Sequence, residues 1–556
     1  MRRLWLLLLL LAGCSRGPQL PDHLKAEPPS SEAVTALAGQ LFANLTQGQP
    51  LATRDTPVDR ILLLSISDGH RSKRYQARAQ SLAEAAEAVA AQAKRDDLRP
   101  IWLRLDVVAD LAEIPEEPPG LERGLAGLAA DGSPARFWLP LEVPTSVLSN
   151  DNELDLARMK KLDKNRQRWL NYGTVAAFSD AGGSYPLYRG HRLEAEQRTP
   201  DQWLAAARRG GDYLLRGLGP DGRFAYCYYP TRDRFSTDYN MLRHAGSAYA
   251  LLDLYQETQQ PEYLEGARRA IEFMMYSVED STRFNSTTVL VDDGSVKLGG
   301  NALAIMALAK LVDITGERKW LAEMEKLAEW MVKNQSDDGR FRVHKESYPG
   351  GDDTGFRSAY YPGEALVALV NLHRLDPDQR WLEAAQRAAR YQVRRARRLK
   401  RPPHDHWLMI GLEQLYQIDP NPLYRDYAFD LSEMIMTSQK TNKVRPDWDG
   451  GFYTPPRSTP TDIRLEGLNA AWALALQAGD RGRVARLKSS VERGLAFSSL
   501  CEVSPERAVL LARPDYCQGA VMRGLADPEI RIDYVQHHIS ALLGAYRLTK
   551  PGPAKP

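Results

Sequence analysis

Polar side chains suited to chemistry recur in this chain just ahead of small, apolar runs. Asp238, Tyr239, Asn240, Arg243 and His244 precede Ala245 to Tyr255. Lys297 precedes Gly300 to Leu311, which opens with Asn301. Tyr360 and Tyr361 precede Gly363 to Leu372, which carries Glu364. His404-Asp405-His406-Trp407 leads into the run ending at Tyr416. Asp462, Arg464 and Glu466 open the run ending at Gln477. Arg531, Asp533, Tyr534, Gln536, His537 and His538 precede Ile539 to Leu548. Asp238, Asp353, Glu364, Glu466 and Asp533 are the type that cleaves glycosidic bonds in pairs. One acid protonates the leaving oxygen, and the other acts as base or nucleophile. His244, with His404, His406 or His537, could instead shuttle a proton at a carbon beside a carbonyl. Arg243 or Arg464 would then hold the anionic oxygen. Tyr239, Tyr361 and Trp407 offer flat faces to a sugar ring, and Asn240 and Gln536 offer hydrogen bonds.

Each residue also has a plainer role. Asp238 and Asp533 are natural N-caps, Arg464 and Glu466 could be a structural ion pair, and His244 could be a satisfied core histidine. The convergence argues for a site. Desolvating so many ionisable groups costs several kcal/mol each unless they pair or meet a ligand. His404 and His406 lie two apart and would leave a helix on different sides, so no metal and no cofactor is expected.

Two helix types must position these groups. In the first, Trp320, Met324, Leu327 and Met331 lie on one face at helical spacing. The same pattern recurs around Asp201, Glu262, Trp381, Tyr424 and Arg481. The second type comprises the small, apolar runs, which are hydrophobic nearly all round and belong in an interior. Six amphipathic outer helices alternating with six buried inner helices predict an (α/α)6 toroid over residues 199–550, built from stacked hairpins. All inner helices of such a ring start at one end, so their leading residues share a cavity. Helix N-termini add positive potential there.

The turns Asp221-Gly222-Arg223-Phe224, Asp338-Gly339-Arg340-Phe341 and Asp449-Gly450-Gly451-Phe452, with the stretch Trp330 to Phe341, carry a resemblance. In them the region resembles the six-hairpin glycosidase-like toroids. That resemblance implies a carbohydrate-active enzyme: a glycoside hydrolase first, or a sugar epimerase or polysaccharide lyase with His or Tyr as acid and base. A non-catalytic glycan- or peptide-binding protein is the alternative. Terpene cyclases share the toroid, but Asp352-Asp353 lacks their acidic cluster.

Residues 33–165 predict a small α/β or α+β domain. Ile61 to Ser67 reads as a strand, Ala77 to Ala93 as a helix, and Ile101 to Val108 and Phe137 to Val143 as further apolar runs. Glu113 to Pro119 is an acidic, proline-rich loop. This domain shows no catalytic signature, so docking of a protein partner is the expectation. Residues 1–14 read as an export signal, with Arg2 and Arg3 before an apolar core too short to span a membrane. Leu11-Ala12-Gly13-Cys14 resembles the lipobox of bacterial lipoproteins. Cys14 would carry the lipid, residues 15–32 would form a tether, and Ser15 favours the periplasmic side of an outer membrane. No other stretch reads as a membrane span. The net charge of +2, with acids and bases interspersed, excludes a nucleic-acid surface. Arg394 to Arg401 reads as a solvated helix end. Cys501 and Cys517 could form a disulfide or stay reduced.

Overall fold

The computed structural model describes residues 20, 27–52, 57–114, 126–132, 135–143, 147, 156–162, 168–193, 198–441 and 445–550. The export signal with Cys14, most of the tether, and residues 115–119 of the acidic loop lie outside them.

Ile61-Leu62-Leu63-Leu64 is apolar at every position, so a strand made from it must be covered on both faces. It lies in β1 (Pro57–Ser67), beside β2 (Ser72–Ser81) and β3 (Trp102–Glu113). The antiparallel sheet runs β2-β1-β3-β6-β4-β5, with β4 (Gly127–Ala130), β5 (Arg136–Trp138) and β6 (Trp169–Asp180). β7 (Gly183–Leu187) pairs with the far half of β6. Leu64, Leu105 and Ala177 share one cross-strand row. That face packs under α1 (Ser31–Gln47) and α2 (Leu82–Ala93), through Val34, Leu37, Leu41, Ala86 and Val89. The opposite face carries Ile61, Leu63, Leu170 and Tyr172, and is closed by Val509 and Leu510 from the far end of the chain. A short helix, α3 (Leu156–Leu162), lies beyond β5.

Three expected boundaries move. The sheet continues through β7 to Leu187, past residue 165, because β6 supplies the partner that both β3 and β4 need. The helix expected from Ala77 starts at Leu82, since Tyr75 and Ala77 are core residues of β2. The tether expected to run to 32 ends at Ser30, whose hydroxyl caps α1 by accepting from Ala33 N.

Beyond Thr199 the two helix types take the two expected layers. The outer layer is α4 (Pro200–Arg216), α6 (Pro261–Met275), α8 (Leu321–Lys333), α10 (Gln379–Arg397), α12 (Pro422–Ser438) and α14 (Arg481–Ser499). The inner layer is α5 (Met241–Thr258), α7 (Leu298–Thr315), α9 (Tyr361–Leu375), α11 (His406–Ile418), α13 (Ser458–Gln477) and α17 (Ile532–Thr549). Each inner helix packs on the next, and α17 packs on α5, so the ring closes as an (α/α)6 toroid. The single-turn helices α15 (Pro505–Ala508) and α16 (Pro514–Cys517) sit in the loop before α17. By length and composition α7 could cross a membrane, contrary to expectation, but it is walled in by the ring. Cys227, Cys501 and Cys517 are free, buried thiols, so no disulfide joins them.

The connections are asymmetric. Inner-to-outer turns are short, such as 259–260 and 419–421, whereas outer-to-inner loops are long. The Asp-Gly turns sit in those long loops. Gly222, Gly339 and Gly450 have φ of 86°, 96° and 80°, which glycine adopts without strain. A Cβ at these positions would lie 2.0–2.1 Å from the carbonyl oxygens of Arg269, Arg387 and Arg493 on the neighbouring outer helices. The motif that carries the resemblance is therefore a packing device. Phe224, Phe341 and Phe452, two residues later, are buried.

Candidate functional site

All six inner helices begin at the end of the ring that carries the long loops. Only two have side-chain caps there. Asn240 Oδ1 accepts from Arg243 N at 3.2 Å, and Asp405 Oδ1 accepts from Leu408 N at 3.1 Å. The residues preceding α7, α9, α13 and α17 are Lys297, Tyr360, Arg457 and Arg531, and none makes a side-chain cap. Their first N–H groups add positive potential at this mouth.

Within it, Glu466 of α13 stands between two imidazoles. Its Oε1 is 2.9 Å from His537 Nδ1 on α17, and its Oε2 is 3.7 Å from His406 Nε2 on α11. The two imidazole rings are 5.7 Å apart and nearly perpendicular. Helices this close need a small residue at the crossing, and Gly467 supplies it, since a Cβ there would lie 3.4 Å from His406 Cβ and 2.8 Å from Met409 Sδ. The two histidines differ in charge preference. Burial, then His537 and Arg464, hold His406 well below the usual histidine value. Both of its ring nitrogens are buried without a partner. Burial would also lower His537, but Glu466 and Asp533 outweigh it and raise the value. Burial raises Glu466 against the pull of His537. The surroundings thus push the two imidazoles in opposite directions about one shared acid. One ligand atom from each of the three groups lies within 4.8 Å of the others, a spacing that a small cation could also span.

Glu364 of α9 is the second buried acid. Burial, with Asp405 nearby, pushes it up to about 8, and its Oε2 has no partner. Gly299 makes its room, because a Cβ there would stand 2.0 Å from Glu364 Oε2 and 2.6 Å from the Tyr361 ring. Asp405 is likewise pushed up to about 8 by burial. Asp533 behaves oppositely. Burial would raise it, but Arg531 at 2.6 Å and Arg243 at 3.0 Å hold it below the usual carboxylate range.

Arg464 donates Nε–H to His404 Nδ1 at 3.2 Å and Nη1–H to the Pro460 carbonyl at 2.6 Å. Burial, then Arg464, pull His404 down to about 4, which keeps it a neutral acceptor. The Trp407 ring lies 4.9 Å from that of His406, and the Tyr360 ring 5.8 Å from it. Gln536 packs on α5, where a Cβ on Gly246 would meet its Oε1 at 2.9 Å.

Several expected residues belong elsewhere. Asp238 is exposed on its loop and accepts from Ser236 Oγ at 2.9 Å, so it joins no acid pair. His244 turns away from the axis. Its Nδ1 pairs with Tyr239 OH at 2.7 Å and its Nε2 with the Ala270 carbonyl of α6 at 2.7 Å, between Phe224 and Phe273. It is a core histidine, held at about 4 by burial. Arg243 and His244 are consecutive, so helical geometry forbids both from facing the axis. Tyr239 serves the same structural contact, and Asn240 is a cap. Asp353 pairs with Arg357 on the surface at 2.6 Å. His404 and Asp405 lie in the loop ahead of α11 and not on a helix, and of the three His406 joins Glu466 and His537. Two residues went unforeseen. Tyr226 bonds Arg243 through its hydroxyl, and Arg457 lies beside the Tyr453 ring. Both sit in loops, where no periodicity marks direction.

No protein-family model matches the chain, and no curated protein matches it. Among solved structures the chain is similar to the alpha-1,6-mannanase from Salegentibacter sp. HEL1_6. The identity is 12% and the TM-score 0.47, over 62% of this chain and 99% of that one. It is also similar to a D-mannose isomerase, at 15% identity and TM-score 0.48, over 63% and 98% of the two chains. A cellobiose 2-epimerase from Bacillus thermoamylovorans is similar at 10% identity and TM-score 0.46, over 62% and 99%.

Proposed function

We propose that this chain is a carbohydrate-active enzyme that moves a proton at a sugar carbon adjacent to a carbonyl, the chemistry of an epimerase or isomerase. The observation that carries the reading is the His406–Glu466–His537 constellation. Environments that push two titratable neighbours apart assign the base and the acid. Neutral His406, its nitrogens unengaged, takes the proton from carbon. Protonated His537, steadied by Glu466, returns a proton to the resulting enediolate. Arg243, anchored by Asp533, holds the developing oxyanion.

Incubation with aldoses, ketoses and reducing disaccharides in deuterated water tests this reading. The expected result is deuterium at the carbon next to the carbonyl, lost in both His406→Asn and His537→Asn. A second reading is glycoside hydrolysis, favoured by Glu364, which stays protonated to about pH 8 and so is poised as a general acid. Oligosaccharide cleavage without exchange, abolished by Glu364→Gln, would replace the first reading with the second. We further propose that the protein is held at the cell envelope through lipidated Cys14. Metabolic labelling with a fatty-acid probe, lost in Cys14→Ala, checks this.

A further inference from the structure

The mouth of the ring holds more positive charge than its acids neutralise. Arg464 is 6% exposed. Its two protein hydrogen bonds go to a neutral imidazole and a carbonyl. Among the described residues no carboxylate pairs with it. The nearby acids are already committed. Asp533 is shared by Arg243 and Arg531, Glu466 is engaged by His537, and burial pushes Glu364 and Asp405 up to about 8. Arg457, at the start of α13, likewise pairs with no carboxylate among the described residues. Both guanidiniums lie over one ring, with Arg464 4.9 Å and Arg457 5.2 Å from the Tyr453 centroid. Tyr453 itself is 47% exposed and held at φ 79°. That conformation is unfavourable for a tyrosine and persists only where the surroundings impose it. A buried guanidinium without a counter-charge is strongly unfavourable unless a ligand brings one.

We propose that the site takes a saccharide carrying an anionic substituent, a carboxylate or a phosphate, gripped by Arg464 with Arg457 beside the Tyr453 ring. The planar fork of Arg464 suits either oxyanion. This proposal rests on the reading of the pocket as a saccharide site and names its substrate class.

Calorimetry on the full chain with glucuronate, glucose 6-phosphate, glucose, and glucose plus inorganic phosphate tests it. At least one charged sugar should bind ten-fold or more tightly than glucose, with affinity falling as salt rises. Which one does so separates carboxylate from phosphate. Arg464→Gln should abolish the preference and Arg464→Lys retain part of it. If Arg464→Gln fails to fold, Arg457→Gln, at a half-buried position, should weaken the preference several-fold. Equal binding of glucose and both charged sugars would overturn the proposal, as would an undiminished preference in folded Arg464→Gln. Binding is read without turnover. Selective binding without proton exchange would sink the proposed reaction and spare this inference, while exchange on neutral sugars with no charged preference would do the reverse.

Discussion

Glu466 is the residue on which the proposed chemistry turns, because it raises His537 while burial lowers His406. Glu466→Gln keeps the shape and removes the charge that raises His537. Proton exchange should fall by roughly 10²- to 10⁴-fold, the usual worth of a positioned acid–base group. Unchanged exchange in a folded variant would remove the constellation from the mechanism. His244 makes the converse case. His244→Phe removes the acceptor of the Tyr239 hydroxyl proton, leaving that hydroxyl its bond from Phe224 N, and takes the Nε2 contact from the Ala270 carbonyl. It should lower stability by about 1–3 kcal/mol and leave turnover per folded molecule unchanged. Denaturant unfolding and a rate normalised to folded protein check both halves.

At the scale of the element, the Asp-Gly turns lock each long loop to a neighbouring outer helix. In the second of them Gln335 donates to the carbonyls of Gly339 and Ala384, and in the third Gln439 donates to those of Gly450 and Ser490. Gly339→Ala would place a methyl group 2.1 Å from the Arg387 carbonyl oxygen at a positive φ. The melting temperature should fall by a few degrees, since each kcal/mol lost shifts a ring of this length by roughly 1–2 °C. An unchanged melting temperature would show that the turn gives way freely. The two helix layers were legible because hydrophobic periodicity reports burial directly. Trp381, Ala384, Ala385 and Ala388 mark one buried face of α10, whereas Leu298 to Ala309 is buried all round. Rotation about the inner helices was not legible. Gln536, His537 and His538 are consecutive but face α5, Glu466 and Ser498 respectively, and only packed coordinates select which one meets the axis.

Across the whole molecule, sheet and ring pack against one another. The apolar run of β1 announced a covered second face, but nothing in the strand says that the cover comes from Val509 and Leu510, more than four hundred residues away. Arg104 pairs with Asp106 and also donates to the Glu506 carbonyl, and Arg189 pairs with Asp447, so loops leading to α13 and α17 dock on the sheet. Behind the site, His538 lies between Ser498 and Glu502 at 2.8 and 3.2 Å, and Glu502 also holds Arg209 at 2.9 Å. Burial would lower His538, but Asp462 and Glu502 outweigh it and push it up to about 9. A group raised in the folded state from an ordinary 6.5 stabilises fully below pH 6.5, and that contribution is lost as pH rises through 9. Glu364 and Asp405, held protonated to about 8, tilt stability the same way between about pH 4 and 8. The unfolding free energy should therefore fall from pH 6.5 to 9.5, and the fall should be shallower in His538→Gln. Identical slopes for the two proteins would mean that His538 carries no proton at neutral pH. The charge of Glu502 would then be balanced by Arg198 and Arg209.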